Sequence, residues 1–331
     1  MVNPSGEKFL SYNSHMRSRK ILLTLSLVVL ESALVQAQLS GLPGAFARLG
    51  FGPRGMGMGN AMIAMREGEI TGFYNPAATP FMETRVAAGS YGLLSLDRSL
   101  NTLSYSQSVQ PSAGFSIGIL NSGVRKIDGR DADGFQTEEY FTSENQFALS
   151  FADKISRYVS LGVGLKIYYY RLFEKISSTN LGVDIGTLVR LTERLTVGAA
   201  VQDINSKYKW DTSNLYGDQG NSTTEKFPLL RKIGASYSLS ELSSIISVEL
   251  ENSNSNTNII RLGGEVNLSD QISVRAGLDH WDVKQSEQAS PTFGFSLRTS
   301  IENFTPAINY AYVVEPYGLF AMHIISLSTR F

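Results

Sequence analysis

The sequence predicts an all-β fold: a transmembrane, outer-membrane β-barrel of about fourteen antiparallel strands with a glycine-rich plug at its N-terminal end. Three observations predict it. Segments in which apolar and polar residues alternate follow one another from about Arg85 to the C terminus. The connections between these segments alternate between short and long. A glycine-dense stretch that lacks the alternation, residues 49–81, comes directly before the first of them.

The strand pattern is clearest in residues 159–169. There the odd-numbered positions are apolar or aromatic, and the even-numbered positions carry serine, glycine, lysine and tyrosine. Such alternation is typical of a strand with one face in an apolar environment. Each segment has roughly nine to twelve residues, the length of a tilted strand that crosses a bilayer. The predicted strand centres are Ala88, Tyr105, Ile117, Leu149, Val163, Ile185, Val197, Ala235, Val248, Leu262, Val274, Phe295, Ile308 and Ile325.

The lengths of the connections favour a membrane barrel over a soluble sandwich. Short connections such as 110–111 and 269–270 alternate with longer polar ones, among them 121–143 and 204–227. Outer-membrane barrels have short periplasmic turns and longer external loops. A soluble β-sandwich with one solvated face fits the strand pattern equally well, but it gives no reason for connections to alternate in length.

Charged residues within the strands share a face with the glycines. A charge on the lipid side of the bilayer midplane costs about 2–4 kcal/mol, so this face is predicted to line the lumen. The predicted lumen charges are Lys166, Asp184, Glu249, Arg261, Glu265 and Arg275. Aromatic residues near strand ends are predicted to form interfacial girdles. They are Tyr168, Tyr169, Tyr170, Trp281, Tyr310, Tyr312 and Phe331.

The glycine-dense stretch is predicted to be the plug. Its glycines allow close backbone approach to the wall, and its large apolar residues need burial. We assign residues 38–84 to the plug and residues 85–331 to the barrel. Arg54 should pair with a lumen carboxylate, because an unpaired buried charge is costly; Asp184, Glu249 and Glu265 are the candidates. The predicted plug contacts, which would also edge a ligand pocket, are Phe51, Arg54, Met56, Met58, Phe73, Tyr74 and Asn75.

Composition and the N-terminal residues limit the compartment and the partners. The 331-residue chain has a formal net charge of −1 and no cysteine, so no basic excess indicates nucleic acid and no disulfide can form. Residues 1–37 are predicted to be a cleaved signal peptide, with a basic stretch at 16–20, an apolar core at 21–30 and a cleavage site after Ala37. The predicted location is therefore the cell outer membrane, reached through the periplasm.

Chemistry-bearing residues are sparse. Gly55, Gly57 and Gly59 resemble part of a dinucleotide-binding loop, but that loop needs a preceding strand and a following helix. His280, beside Asp279, gives the best enzyme hypothesis, a protease site at the barrel rim. Neighbouring residues of a strand point to opposite faces, so we expect the two not to cooperate. We predict no catalytic residue, no metal site and no cofactor.

Two motifs carry a family resemblance. Residues 55–61 read Gly-Met-Gly-Met-Gly-Asn-Ala, and residues 73–77 read Phe-Tyr-Asn-Pro-Ala. Together they resemble the N-terminal signature of the PorV/PorQ family, outer-membrane barrels with the fold of the FadL long-chain fatty-acid transporters. The C-terminal residues 323–331 are also similar to that family. The family's acidic pair is interrupted here, as Glu67-Gly68-Glu69.

The resemblance implies a non-enzymatic role as a partner in protein secretion or surface attachment. The alternative is a FadL-like conduit that carries hydrophobic small molecules across the outer membrane. Both functions imply outer-membrane lipid and the barrel-assembly machinery as partners. The barrel-assembly machinery would read the last strand, where Ile325, Leu327 and Phe331 share one face.

Deletion of Phe331 tests this assembly signal. We expect less folded protein in the outer membrane, because the terminal aromatic residue is the end of the pattern that the assembly machinery reads. The measurement is the amount of the heat-modifiable band on a gel of outer membranes. An undiminished band in the deletion variant would contradict the assignment.

Overall fold

The computed structural model describes residues 41–173, 175–282, 289–315 and 321–331, so the predicted signal peptide and the first residues of the predicted plug lie outside it. A closed antiparallel barrel of fourteen strands forms its centre, and each of the fourteen predicted strand centres falls within a barrel strand. The predicted barrel of about fourteen antiparallel strands is therefore confirmed. The strands in chain order are β1 (Val86–Leu93), β2 (Arg98–Val109), β3 (Ala113–Val124), β4 (Ile127–Arg130), β5 (Gln136–Tyr140), β6 (Ser143–Lys154), β7 (Val159–Phe173), β8 (Ile176–Arg190), β9 (Leu195–Ile204), β10 (Lys207–Asp211), β11 (Ser222–Lys226), β12 (Leu230–Leu239), β13 (Ser244–Ser253), β14 (Asn258–Asn267), β15 (Ile272–Asp282), β16 (Ser290–Arg298), β17 (Thr305–Val313) and β18 (Met322–Arg330).

The barrel closes by pairing its first strand with its last. β1 lies between β2 and β18, with Val86 opposite Arg330 and Leu93 opposite His323. Consecutive strands pair all round the wall, except where β3 pairs with β6 and β9 with β12. The strands skipped at these two places form separate hairpins, β4–β5 and β10–β11. Closure leaves the wall without an unpaired edge, as a bilayer requires.

The two faces of the wall differ as the alternation predicts. On β7, Leu161, Val163 and Leu165 point outward and are about half exposed, whereas Ser160 and Lys166 point inward and are buried. An outward apolar band and a polar interior are typical of a transmembrane barrel. No helix of the described residues is long and apolar enough to cross a membrane.

The connections divide the barrel into a terminal end and a loop end. The terminal end holds Phe331 and the short turns, such as the one between β2 and β3. The loop end holds both hairpins. The predicted loops 121–143 and 204–227 are thus more ordered than expected, because each contains a hairpin and β3 continues to Val124.

Residues 41–84, which we call the N-terminal segment, lie against the inner face of the wall. Two short helices, α1 (Gly52–Gly57) and α2 (Thr71–Tyr74), and two 3-10 helices, Ala45–Arg48 and Pro76–Phe81, make up its regular structure. Helix α1 packs on β15 to β18, and the second 3-10 helix packs on β2, β3, β6, β7 and β8. Side-chain hydrogen bonds also join the segment to β9, β12, β13 and β14.

Glycines of the wall permit the closest of these approaches. A β-carbon at Gly263 would lie 3.0 Å from Cβ of Met58 and would also collide with the Met58 carbonyl oxygen. Gly59 has a φ of 59°, and a β-carbon there would lie 2.6 Å from the carbonyl oxygen of Leu278. The adjacent Gly264 faces outward, with no atom closer than 3.9 Å. Glycine is therefore required on one face of β14 and is dispensable on the other.

Alanine substitution at these two neighbours tests that contact. Gly263→Ala should destabilise the protein by about 1–3 kcal/mol, because an inserted methyl group overpacks the interface with the N-terminal segment. Gly264→Ala, the matched control, should change the free energy of unfolding by less than about 0.5 kcal/mol. Denaturant unfolding in detergent measures both changes, and limited proteolysis should cut the N-terminal segment faster only in Gly263→Ala. Equal effects would show that the segment does not pack on this strand.

Candidate functional site

The candidate site is the surface where the N-terminal segment meets the wall, together with the lumen on the loop-end side of it. Arg54 forms its first ion cluster. Nε and Nη2 of Arg54 donate to Oε2 and Oε1 of Glu265 at 2.9 and 2.8 Å, and Nη1 donates to the Glu67 carbonyl at 2.5 Å. Arg275 donates to the same Glu265 carboxylate. Burial by itself would lower the pKa of Arg54, but the Glu265 carboxylate outweighs it and holds the pKa above the usual range.

A second ion cluster surrounds Arg261. Its guanidinium contacts Asp279 at 2.7 Å, Glu251 at 2.9 Å and Glu249 at 3.2 Å. Glu249 also accepts the backbone N–H groups of Met62 and Ile63 at 3.1 and 3.0 Å. This carboxylate therefore joins the wall cation to the N-terminal segment.

The third ion cluster centres on Lys166, whose ammonium lies 2.8 Å from Asp184 and 3.2 Å from Asp203. Asp203 and Gln202 are both buried, because a bulge in β9 turns two consecutive residues inward. Nε2 of Gln202 donates to the carbonyl of Tyr74 at 2.9 Å. Sequence analysis missed both residues, because strict alternation assigns one of them to the outward face. The sequence signal available was the residue type at position 203, because aspartate tolerates positive φ better than most residues. Asp203 has a φ of 61°.

A second bulge contradicts the expectation for Asp279 and His280. The pairing of β14 with β15 shifts by one residue next to His280, which has a φ of 54°. Nδ1 of His280 consequently lies 3.1 Å from Oδ1 of Asp279. The expectation that the two side chains cannot meet was wrong, because it assumed unbroken alternation. The carboxylate is also held by Arg261 and by Nδ2 of Asn60 at 2.7 Å, so it belongs to the second ion cluster.

Serine hydroxyl groups of the wall bind carbonyl groups of the N-terminal segment. Four strands contribute one such bond each, at 2.5–3.1 Å. The pairs are Ser104 with Glu69, Ser160 with Ala77, Ser236 with Ala64, and Ser247 with Ala61. These bonds satisfy backbone groups that no regular element pairs.

Asn75, from the Phe-Tyr-Asn-Pro-Ala motif, ties three backbone sites together. Its Nδ2 donates to the carbonyls of Ile63 and Thr187 at 2.8 and 3.0 Å, and its Oδ1 accepts the N–H of Ala77 at 3.0 Å. Gly186 leaves room for this side chain, because a β-carbon there would collide with Oδ1. The motif thus fixes the end of the N-terminal segment to β8.

Glu69 is an acidic residue of the N-terminal segment on the side of the lumen opposite β8. Its carboxylate accepts bonds from Asn309 at 2.5 Å, Ser328 at 2.9 Å and Ser326 at 3.2 Å. These residues lie on β17 and β18, next to the point where the barrel closes. Sequence analysis did not assign Glu69 a role, because its partners are small polar residues rather than cations.

The predicted apolar contacts all lie in one buried cluster. Phe51 stacks on Phe73 at 5.3 Å and meets Tyr74 edge-on at 5.1 Å, while Met56 and Met58 are fully buried beside them. The hydroxyl of Tyr74 donates to Asn60 at 2.6 Å. Burial raises the pKa of Tyr74, which keeps this hydroxyl protonated as a donor.

The same cluster continues toward the loop end, and we call that part the upper apolar cluster. It contains Phe46, Leu100, Leu120, Ala148, Tyr168, Tyr208, Phe227, Ala311, Val313, Met322 and Ile324. Tyr168 therefore lies inside the barrel and not in an interfacial girdle, because it shares the inward face of β7 with Lys166.

Aromatic rings form a continuous ladder through the upper apolar cluster. Centroid separations are 6.4 Å from Phe46 to Tyr168, 4.7 Å from Tyr168 to Phe227, and 4.8 Å from Phe227 to Tyr208. Tyr208 lies 5.4 Å from the half-buried Trp210 of the β10–β11 hairpin. The ladder therefore runs from the N-terminal segment to the loop end of the barrel.

The predicted assembly residues lie on the outer surface. Ile325 and Leu327 are exposed on the outward face of β18. Phe331 packs beside Tyr105 and Phe304, with ring centroids 6.3 and 6.0 Å away, at the terminal end. Across the described ranges, no group of three or more histidine, aspartate or glutamate side chains is placed to hold a metal ion.

Solved outer-membrane proteins share this fold. The toluene transporter TbuX of Ralstonia pickettii is 13% identical with a TM-score of 0.58, and the match covers 85% of this chain and 98% of that one. The CymD monoaromatic hydrocarbon channel is 15% identical with a TM-score of 0.59, covering 85% and 97%. A FadL homologue of Pseudomonas aeruginosa is 14% identical with a TM-score of 0.55, covering 85% and 98%.

These likenesses show the fold alone: the chain is a closed fourteen-stranded barrel, similar in fold to FadL-like outer-membrane barrels. No protein-family model matches the sequence. No curated protein matches it either.

The destabilisation caused by removing one partner from the Arg54 cluster should depend on which partner is removed. Glu265→Gln leaves two buried cations without their carboxylate, and we expect a loss of about 3–5 kcal/mol in the free energy of unfolding. Arg54→Met should cost less, because Arg275 still neutralises Glu265. The control Arg130→Met breaks an exposed pair with Asp128 and should cost at most about 1 kcal/mol. Denaturant unfolding gives the order, and a Glu265→Gln loss no larger than the control would contradict the cluster's role.

Proposed function

We propose that the protein is an outer-membrane channel for hydrophobic small molecules and that the N-terminal segment is its plug. The aromatic ladder of the upper apolar cluster carries this proposal. It places a continuous row of aromatic rings inside the barrel, from the loop end to the N-terminal segment. The solved neighbours whose titles name toluene transport or monoaromatic hydrocarbon channels support the same class of ligand.

The distribution of charge supports an apolar ligand. The ion clusters of Arg54 and Arg261 are each neutralised by carboxylates of the wall, Glu265 for Arg54 and Glu249, Glu251 and Asp279 for Arg261. The upper apolar cluster instead presents aromatic and aliphatic side chains to the lumen. Apolar pockets with a few placed polar groups are typical of small-molecule sites.

The N-terminal segment closes the route beyond this surface. Its contacts reach from β2 round to β18 and include buried ion pairs, so an onward path requires the segment to move. The first part to yield is the 3-10 helix Ala45–Arg48, whose Phe46 occupies the ladder's inner end. Exposing a buried phenylalanine costs about 1.5–3 kcal/mol, which an apolar ligand of similar area would offset.

A second candidate function is the partner role in protein secretion or surface attachment that the PorV/PorQ resemblance implies. The observation that favours it is the pair of hairpins at the loop end. Phe135, in the turn of the β4–β5 hairpin, is 72% exposed, and Phe141 just after it is also exposed. Exposed aromatic residues are frequent anchors of protein interfaces. Neither candidate requires catalysis, and we propose that the protein is not an enzyme.

Tryptophan fluorescence tests the channel proposal. The chain has two tryptophans. Trp210 packs on the ladder, and Trp281 is 43% exposed on the outward face. In a Trp281→Phe variant in detergent, titrated toluene should change Trp210 emission to saturation, because the ligand packs against the same rings. The matched Trp210→Phe variant reports only the outward face and should change linearly, as toluene partitions into the micelle.

Indistinguishable responses from the two variants would contradict a ligand site on the ladder. If cross-linking in cells also recovered an envelope protein through the β4–β5 hairpin, the second candidate would replace the first. Uptake of toluene by cells that depend on this protein extends the test from binding to transport.

A further inference from the structure

One buried polar side chain beside the upper apolar cluster has no hydrogen-bond partner among the described residues. Gln146 lies on the inward face of β6, opposite Leu120 of β3 and Tyr168 of β7, and it is fully buried. Within the part of the chain that the structure describes, neither its Oε1 nor its Nε2 has a hydrogen bond. Buried side-chain amides are nearly always bonded, so this one requires an explanation.

The described neighbours of Gln146 do not supply that bond. Leu120 and Ala148 are apolar, and the hydroxyl of Tyr168 is already bonded to Asp203 at 2.5 Å. Glu144, the next inward residue of β6, accepts the hydroxyl of Tyr208 at 3.1 Å. An amide offers two donors and two acceptor positions, and none of them is bonded among the described residues. Tyr168, which pairs with Gln146 across the strands, is the residue on which Phe46 packs.

We propose that Gln146 is the recognition point for a hydroxyl group on an otherwise apolar ligand. This inference rests on the proposed channel function and names the substrate class within it: small apolar alcohols, aromatic ones included. The apolar body takes the place of Phe46 on the ladder. The hydroxyl then donates to Oε1 of Gln146 and accepts from Nε2.

The charges around Gln146 favour a neutral polar group. Glu144 lies two residues away on the same face, and Asp203 is bonded to the neighbouring Tyr168. Lys166 and Arg48 are the cations of this region, and Lys166 is engaged by Asp184 and Asp203. Arg48 donates to the carbonyls of Leu42 and Pro43 at 2.9 Å. A carboxylate ligand at Gln146 would meet Glu144 first, whereas a hydroxyl meets no repulsion.

A site of this kind distinguishes an alcohol from the hydrocarbon of the same shape. The alcohol satisfies the amide, whereas the hydrocarbon leaves it unpaired. Comparing the ratio of the two affinities between variants cancels the cost of dehydrating the alcohol. The expected change in that ratio is about tenfold, as for one buried hydrogen bond.

The experiment uses toluene and benzyl alcohol, which differ by one hydroxyl group. Both are titrated into the full chain carrying Trp281→Phe, with Trp210 as the reporter, alone and with Gln146→Leu. Gln146→Leu should weaken benzyl alcohol about tenfold relative to toluene and raise the melting temperature of the ligand-free protein, because it removes an unsatisfied buried amide. The control Gln107→Leu, on the outward face of β2, should leave the ratio unchanged.

The outcomes separate this inference from the proposed function. Saturable toluene binding with the same alcohol-to-hydrocarbon ratio in Gln146→Leu overturns the role of Gln146 and leaves the channel proposal standing. Absence of saturable binding of either probe to the Trp281→Phe protein overturns both. If Gln146→Leu fails to fold, Gln146→Met, which also lacks the amide, replaces it with the same expected ratio.

Discussion

The N-terminal segment depends on the wall for its polar partners, and the arrangement of the lumen follows from that dependence. The segment has little regular structure, so many of its backbone groups lack a partner within it, and a buried unpaired group is costly. Wall serines, Gln202 and Glu249 supply these partners. Arg54 adds a charge that Glu265 neutralises. The inward residues of the strands are therefore small and polar where the segment lies.

This requirement divides the lumen into two regions. Where the wall serves the segment, it carries serines, glycines and paired charges. Around the 3-10 helix Ala45–Arg48, the wall carries the aromatic and aliphatic side chains of the upper apolar cluster. The proposed ligand surface lies in this second region, because the polar groups of the first are already bonded to each other. Gln146 differs from Glu144 and Asp203, the other polar residues beside this region, because its amide has no hydrogen bond among the described residues.

Two bulges adjust the wall where regular alternation would misplace a side chain. In β9 the bulge lets Gln202 reach the segment while Asp203 reaches Lys166. In β15 it brings His280 beside Asp279, which also binds Asn60. A bulge changes the direction of a side chain and locally disrupts the hydrogen bonding between the strands. Both of these bulges lie where a strand contacts two buried polar groups.

The sequence by itself determined the strands, their number and their inward face, because a closed barrel in lipid imposes a period of two on every strand. It also indicated that Arg54 needs a carboxylate, and the six charges predicted to face the lumen are all buried. Only the tertiary structure decided that Glu265 is that carboxylate, because the choice depends on where an irregular segment lies within the barrel. The bulges and the unpaired Gln146 were likewise beyond sequence patterns, since both depend on contacts between residues distant in the chain.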